Sequence, residues 1–118
     1  MTISCRRRGI FSCWRLESKI YPRINSPEVT TRYPGCFYTQ DQVRDILDFC
    51  KRHHVLVIPE IDMPGHSAAF TRTFGCDMQS AKVKAILREL DSEACDLFAE
   101  VPYFHIGTDE VHFTDPDF

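Results

Sequence analysis

Two short stretches of the sequence hold residue types that do acid–base chemistry. Asp109-Glu110 sets two carboxylates side by side, and Pro59-Glu60-Ile61-Asp62-Met63-Pro64-Gly65-His66 alternates acids with backbone-fixing residues ahead of a histidine. In an adjacent pair, one carboxylate can face a ligand as proton donor while the other takes a different orientation. A donor working at neutral pH needs its pKa raised, and a like-charged neighbour and the apolar flanks Phe104 and Val111 both act in that direction. Asp-Glu pairs are also common in solvated loops and helix caps, and the pair alone is more often structural than catalytic. His66 has three readings: partner to a carboxylate whose acidity it tunes, metal ligand, or core histidine bonded to backbone.

The elements that carry these stretches decide whether they meet. Thr39-Gln40-Asp41-Gln42 fits a capping box, and Val43, Ile46, Leu47 and Cys50 follow at helical spacing, which predicts a helix over 40–53. The aliphatic run Val55-Leu56-Val57-Ile58, with Ile61, predicts a strand over 55–61 covered on both faces, as in a parallel sheet. Val83, Ile86, Leu87, Leu90, Ala94, Leu97 and Phe98 keep a helical rhythm and predict a second helix over 79–100. Tyr103-Phe104-His105-Ile106 then predicts a second strand, 103–107, closed by Gly107. Pro22, Pro27, Pro34 and Gly35 mark 1–38 as loop. Strand, helix and strand make a βαβ unit with a right-handed crossover, in which ligand sites lie at the carboxyl ends of the strands. Asp62 and His66 follow the first strand and Asp109 and Glu110 the second, so the topology brings both clusters to one edge.

Bulk composition excludes several classes. The 118 residues are 43% hydrophobic and 26% charged with a formal net charge of −3, which points to neither nucleic-acid binding nor a disordered tail. Arg6-Arg7-Arg8 reads as a solvated basic run. The apolar stretch after it, Ile10–Trp14, is too short for a signal-peptide core, and no segment approaches the roughly 18 apolar residues that a membrane span needs. The six cysteines, at 5, 13, 36, 50, 76 and 95, form no C-x-x-C pair, and free, mostly buried thiols are expected.

Val55–Ser67, reading VLVIPEIDMPGHS, and Tyr103–Val111, reading YFHIGTDEV, resemble the β-N-acetylhexosaminidases of glycoside hydrolase family 20. Trp14–Lys19 with Tyr21-Pro22 is similar to the segment after that family's second barrel strand, and Phe37-Tyr38-Thr39 to its next helix start. The likeness runs from about Trp14 to the end, leaving 1–13 unmatched and 14–118 as a stretch of catalytic barrel. The fold it implies is α/β, a partial (β/α)8 TIM barrel with about two parallel strands. The activity it implies is hydrolysis of terminal non-reducing N-acetyl-D-hexosamine residues from β-N-acetylhexosaminides, retaining and substrate-assisted. By the same resemblance Glu110 is general acid/base, Asp109 orients the acetamido group, and His66 bonds toward Glu110, supported by Asp62 and His105. An N-acetylhexosamine-containing glycan is the implied partner, and neither metal nor cofactor is required.

The sequence also departs from the family. Gly107-Thr108 stands where the family commonly has Gly-Gly. A complete barrel needs about 250 residues, and the first-strand arginine, second-strand aspartate and later aromatic residues of the family site have no counterparts here. A partial chain with weak or no hydrolysis by itself is therefore expected. Two other readings stay open: a metal-dependent hydrolase or isomerase barrel, with ligands drawn from Asp62, His66, His105, Asp109, Glu110 and His112, and a fragment that binds carbohydrate or a partner without turnover.

Overall fold

The computed structural model describes residues 13–118. Cys5, the Arg6–Arg8 run and nearly all of the unmatched 1–13 segment lie outside that range. Helix α1 (Gln40–Arg52) begins where the capping box predicts: the Thr39 hydroxyl accepts the Gln42 N–H at 3.1 Å, and the Gln42 side chain accepts the Thr39 N–H at 2.9 Å. The helix ends at Arg52, one residue short of the expected end, with His53 as its C-cap. Val43 and Cys50 are buried, and Ile46 and Leu47 are half-buried.

Helix α2 (Ala68–Phe74) is absent from the sequence expectation, because two turns are too short to show a periodic stripe. It packs on a single 3-10 turn, Pro22–Asn25, and sets Phe70 edge-on against Trp14 with ring centroids 5.7 Å apart. Gly75, at φ 81°, ends it in the left-handed conformation that glycine adopts at least cost.

Helix α3 (Ala81–Leu97) is shorter at both ends than the 79–100 expected. Ser80 is the N-cap and accepts the Val83 N–H at 3.3 Å, so Gln79 stands outside the helix with its side chain free to act elsewhere. Val83, Leu87, Leu90 and Ala94 form the buried stripe. They join Trp14, Ile24, Ile61, Phe70 and Met78 in the core. On the polar side, the Glu93 carboxylate accepts the Ser18 hydroxyl at 2.8 Å, the Lys19 N–H at 2.7 Å and the Gln40 side-chain amide at 3.0 Å. One side chain thus ties the 18–19 segment and the start of α1 to α3.

The two predicted strands require correction. Among the described residues neither 55–61 nor 103–107 forms a regular strand; each contributes to one parallel bridge, Glu60 with His105. Its bonds are His105 N–H to the Pro59 carbonyl at 2.9 Å and Ile61 N–H to the His105 carbonyl at 3.1 Å. Toward the amino end the next rung would need an N–H that Pro59 lacks. Toward the carboxyl end the Gly107 N–H turns back to His105 Nδ1 at 3.1 Å instead of crossing. Nor is the aliphatic run covered on both faces: Val57 is buried, whereas Val55, Leu56 and Ile58 are exposed. A second parallel bridge joins Leu16 to Tyr38. No helix of the described residues is long and apolar enough to cross a membrane, and none of the five cysteines among them is disulfide-bonded to another; Cys13 and Cys50 are buried, whereas Cys36 and Cys95 are exposed.

Candidate active site

The Glu60–His105 bridge, with a further bond from the Met63 N–H to the Ile106 carbonyl at 3.0 Å, lays the two motifs side by side. Just past it, the Asp62 side chain is almost wholly buried, and its Oδ1 accepts the Thr108 N–H at 3.1 Å. Its Oδ2 lies 3.5 Å from His66 Nε2, and the same Nε2 lies 3.6 Å from Glu110 Oε2. Both distances exceed a good hydrogen bond and are loose polar contacts. His66 is therefore placed between a buried carboxylate and a half-exposed one, and a small shift brings it to either. Asp109 approaches from the same side: Asp62, His66 and Asp109 each offer an atom within 4.8 Å of the others.

Close approach of the two loops depends on glycine at two places. A Cβ on Gly65 would lie 2.9 Å from the Asp109 carbonyl oxygen, and one on Gly107 would lie 2.1 Å from Asp62 Oδ1. The backbone is also unusually wound here. His66 (φ 51°), Thr108 (φ 79°) and Glu110 (φ 51°) all sit in the left-handed region beside Gly107 (φ 71°). For a β-branched residue such as Thr108 that conformation is a true outlier, and strain of this kind collects at functional sites.

Burial holds the Asp62 carboxyl above the ordinary aspartate range, and nearby Asp109 and Glu60 push the same way; the Thr108 N–H and His66 oppose them. Behind the cluster is an apolar cavity of about 40 Å3, lined by Trp14, Ile61, Phe70 and Phe104 among others. Sites for small molecules run to about 300–1,000 Å3, so this space does not enclose a sugar.

The sequence-predicted residues meet in part. Asp62, His66, Asp109 and Glu110 come together. His105 does not join them: its Nδ1 lies 3.0 Å from Glu60 Oε2, a buried carboxylate to which the sequence reading gave no role. The imidazole of His112 is not among the clustered groups either, so the six-ligand metal set is not assembled. Gln79 was missed altogether. Its partners are backbone groups distant in sequence, and no local pattern announces them.

The pattern described as "Glycosyl hydrolase family 20, catalytic domain" matches residues 12–82. The chain is 37% identical over 124 residues to a β-hexosaminidase of Porphyromonas gingivalis, covering 82% of this chain and 16% of that protein. It is 29% identical over 111 residues to β-hexosaminidase subunit A2 of Dictyostelium discoideum, covering 81% and 20%. Among solved structures it is similar to the Flavobacterium johnsoniae chitobiase, with a TM-score of 0.68 and 31% identity over 83% of this chain and 17% of that one. A β-N-acetylhexosaminidase from Bacteroides fragilis superimposes with a TM-score of 0.71 at 27% identity, over 86% and 24%. The chain thus spans about a fifth or less of the relatives named by sequence, and its fold is that of part of a TIM-barrel-like domain. None of these likenesses favours a metal-dependent barrel. With the pattern matched over more than half its length, the chain belongs to glycosyl hydrolase family 20, in the catalytic domain.

Proposed function

We propose that this chain carries the acid/base half of a retaining β-N-acetylhexosaminidase site, acting on terminal N-acetylhexosamine of a glycan or glycoconjugate. The observation that carries the reading is His66 Nε2 held between Asp62 and Glu110, 3.5 and 3.6 Å away, in a chain of this family. In this reading 14–118 is a stretch of (β/α)8 barrel in which 55–61 and 103–107 stand at the places of the third and fourth strands, joined by the Glu60–His105 bridge, and 1–13 lies outside it.

Glu110 is the proton donor. It is half-exposed, as a group that must reach a glycosidic oxygen has to be. The substrate's acetamido carbonyl oxygen bonds to C1 as the C1–O bond to the leaving group breaks, and the Glu110 proton passes to the departing oxygen. Asp109 accepts the acetamido N–H and steadies the oxazolinium ion. Water, giving its proton to Glu110, then adds to C1 and reopens the ring, so configuration is retained. His66 and buried Asp62 sit behind Glu110 and set its charge environment, while His105, whose Nδ1 accepts the Gly107 N–H, braces the turn. No step needs a metal.

The test is turnover of a chromogenic N-acetyl-β-glucosaminide by the full-length protein and by Glu110→Gln. Loss of the general acid is expected to lower kcat by about 10²–10⁴-fold. A Glu110→Gln protein of undiminished activity contradicts the assignment.

A further inference from the structure

We propose that Gln79 is a positioning residue for Glu110, holding the far side of the loop that carries it; the inference rests on the general-acid role given above. Residues 107–115 form neither helix nor strand, so nothing periodic fixes Glu110. Hydrogen bonds hold the loop on both sides of Glu110 instead. Two residues before Glu110, the Thr108 N–H is held by buried Asp62. Two to five residues after it, the Gln79 carboxamide takes three backbone groups at once. Its Oε1 accepts the Thr114 N–H at 2.7 Å and the Asp115 N–H at 3.2 Å, and its Nε2 donates to the His112 carbonyl at 3.1 Å.

The chemistry of this contact calls for a primary amide in one orientation. Two acceptor contacts and one donor contact are what a primary amide offers, and a reversed amide would set donors against donors and oxygen against oxygen. Gln79 is itself buried at 9% exposure, and its own N–H is bound to Asp77 Oδ1 at 3.0 Å. The neighbouring Met78 and Val83 are in the core. The clamp therefore stands on a fixed base at the start of α3, and it transmits that fixity to the loop through hydrogen bonds that a hydrocarbon cannot make. Lys84, paired with Asp115, reinforces the same end.

Glycosides with different leaving groups test this. A general acid matters for an alkyl leaving group and hardly at all for dinitrophenolate, which departs without a proton. In the full-length protein Gln79→Leu is expected to lose about 10-fold or more in kcat/KM, which reports only the steps through departure of the leaving group, on an alkyl N-acetyl-β-glucosaminide and less than about twofold on the dinitrophenyl glycoside, a pattern within the general-acid range. Gln79→Glu, which keeps both acceptor contacts, falls between. Equal losses on the two glycosides, or none, overturn the proposal, because a merely structural role does not distinguish leaving groups. Glu110→Gln run alongside separates the two ideas: if it too shows no leaving-group dependence, the general-acid reading is what fails. An activity-free measurement covers a protein without turnover. Nuclear Overhauser contacts between His66 and Glu110 should vanish in folded Gln79→Leu, and their persistence there overturns the clamp.

Discussion

At the scale of single residues, the site is a place where backbone conformation and side-chain identity disagree. Thr108 is held at φ 79° by the bond from its N–H to Asp62, although its side chain disfavours that region. Relief of such strain is worth about 1–3 kcal/mol, against about 0.4–1 kcal/mol of extra chain entropy that glycine costs on folding. Thr108→Gly is therefore expected to stabilise the protein by about 1 kcal/mol, read as a higher urea midpoint; a lower midpoint would show that the threonine side chain makes a compensating contact. Gly107→Ala should do the reverse and strongly, since its Cβ would fall 2.1 Å from Asp62 Oδ1. Much of this was legible in advance. Two prolines and a glycine before His66 announced a constrained loop, whereas the carboxylate pair, more often structural when seen alone, drew its expected role from the family resemblance. The pairing of His105 with Glu60 and the reach of Gln79 were not legible, because each depends on a partner brought close only by the fold.

At the scale of elements, α1 was readable from its cap because a capping box is a contact between residues three apart. Thr39→Ala removes half of that box and is expected to cost about 1 kcal/mol, measured by thermal unfolding. Helix α3 was readable as a stripe but not at its ends. Gln79 looks like a helix start until its side chain is seen to serve another segment. Leu90 is buried in that stripe, and Leu90→Ala should cost about 2–5 kcal/mol. The same helix carries a liability in Asp91, whose Oδ1 is buried without a hydrogen-bond partner and whose pKa is pushed up to about 6 by burial. A carboxylate raised above its unfolded value favours the folded state while protonated, and that advantage fades as pH climbs through about 6. Stability of the wild type should thus fall from pH 4 to pH 7, other groups being equal, while Asp91→Asn flattens that slope and is the more stable at pH 7. Urea titrations of both proteins across this range check it, and parallel slopes would rule Asp91 out as their source.

At the scale of the whole molecule, one core formed by Trp14, Ile24, Phe70, Met78 and the α3 stripe supports the site from beneath, while a row of apolar side chains remains in water. Leu56, Tyr103 and Ile106 are each more than half exposed, beside extended backbone with a single bridge. Unpaired extended edges with apolar side chains seek partners. Sedimentation of the 118-residue chain is expected to show concentration-dependent association that Leu56→Ser with Ile106→Ser reduces; a monomer at all concentrations would refute this. The continuous aliphatic run, taken as a doubly covered strand, was misread for the same reason: sequence records what a strand is suited to pack against, and the structure shows what is there. Arg15 illustrates a different economy. Its guanidinium donates to the carbonyls of Arg32, Tyr33 and Cys36, gripping the 32–36 loop by its main chain alone. A grip that ignores side chains leaves them free to change, so this loop is a cassette whose surface can be rewritten without refolding the chain, provided Arg15 stays.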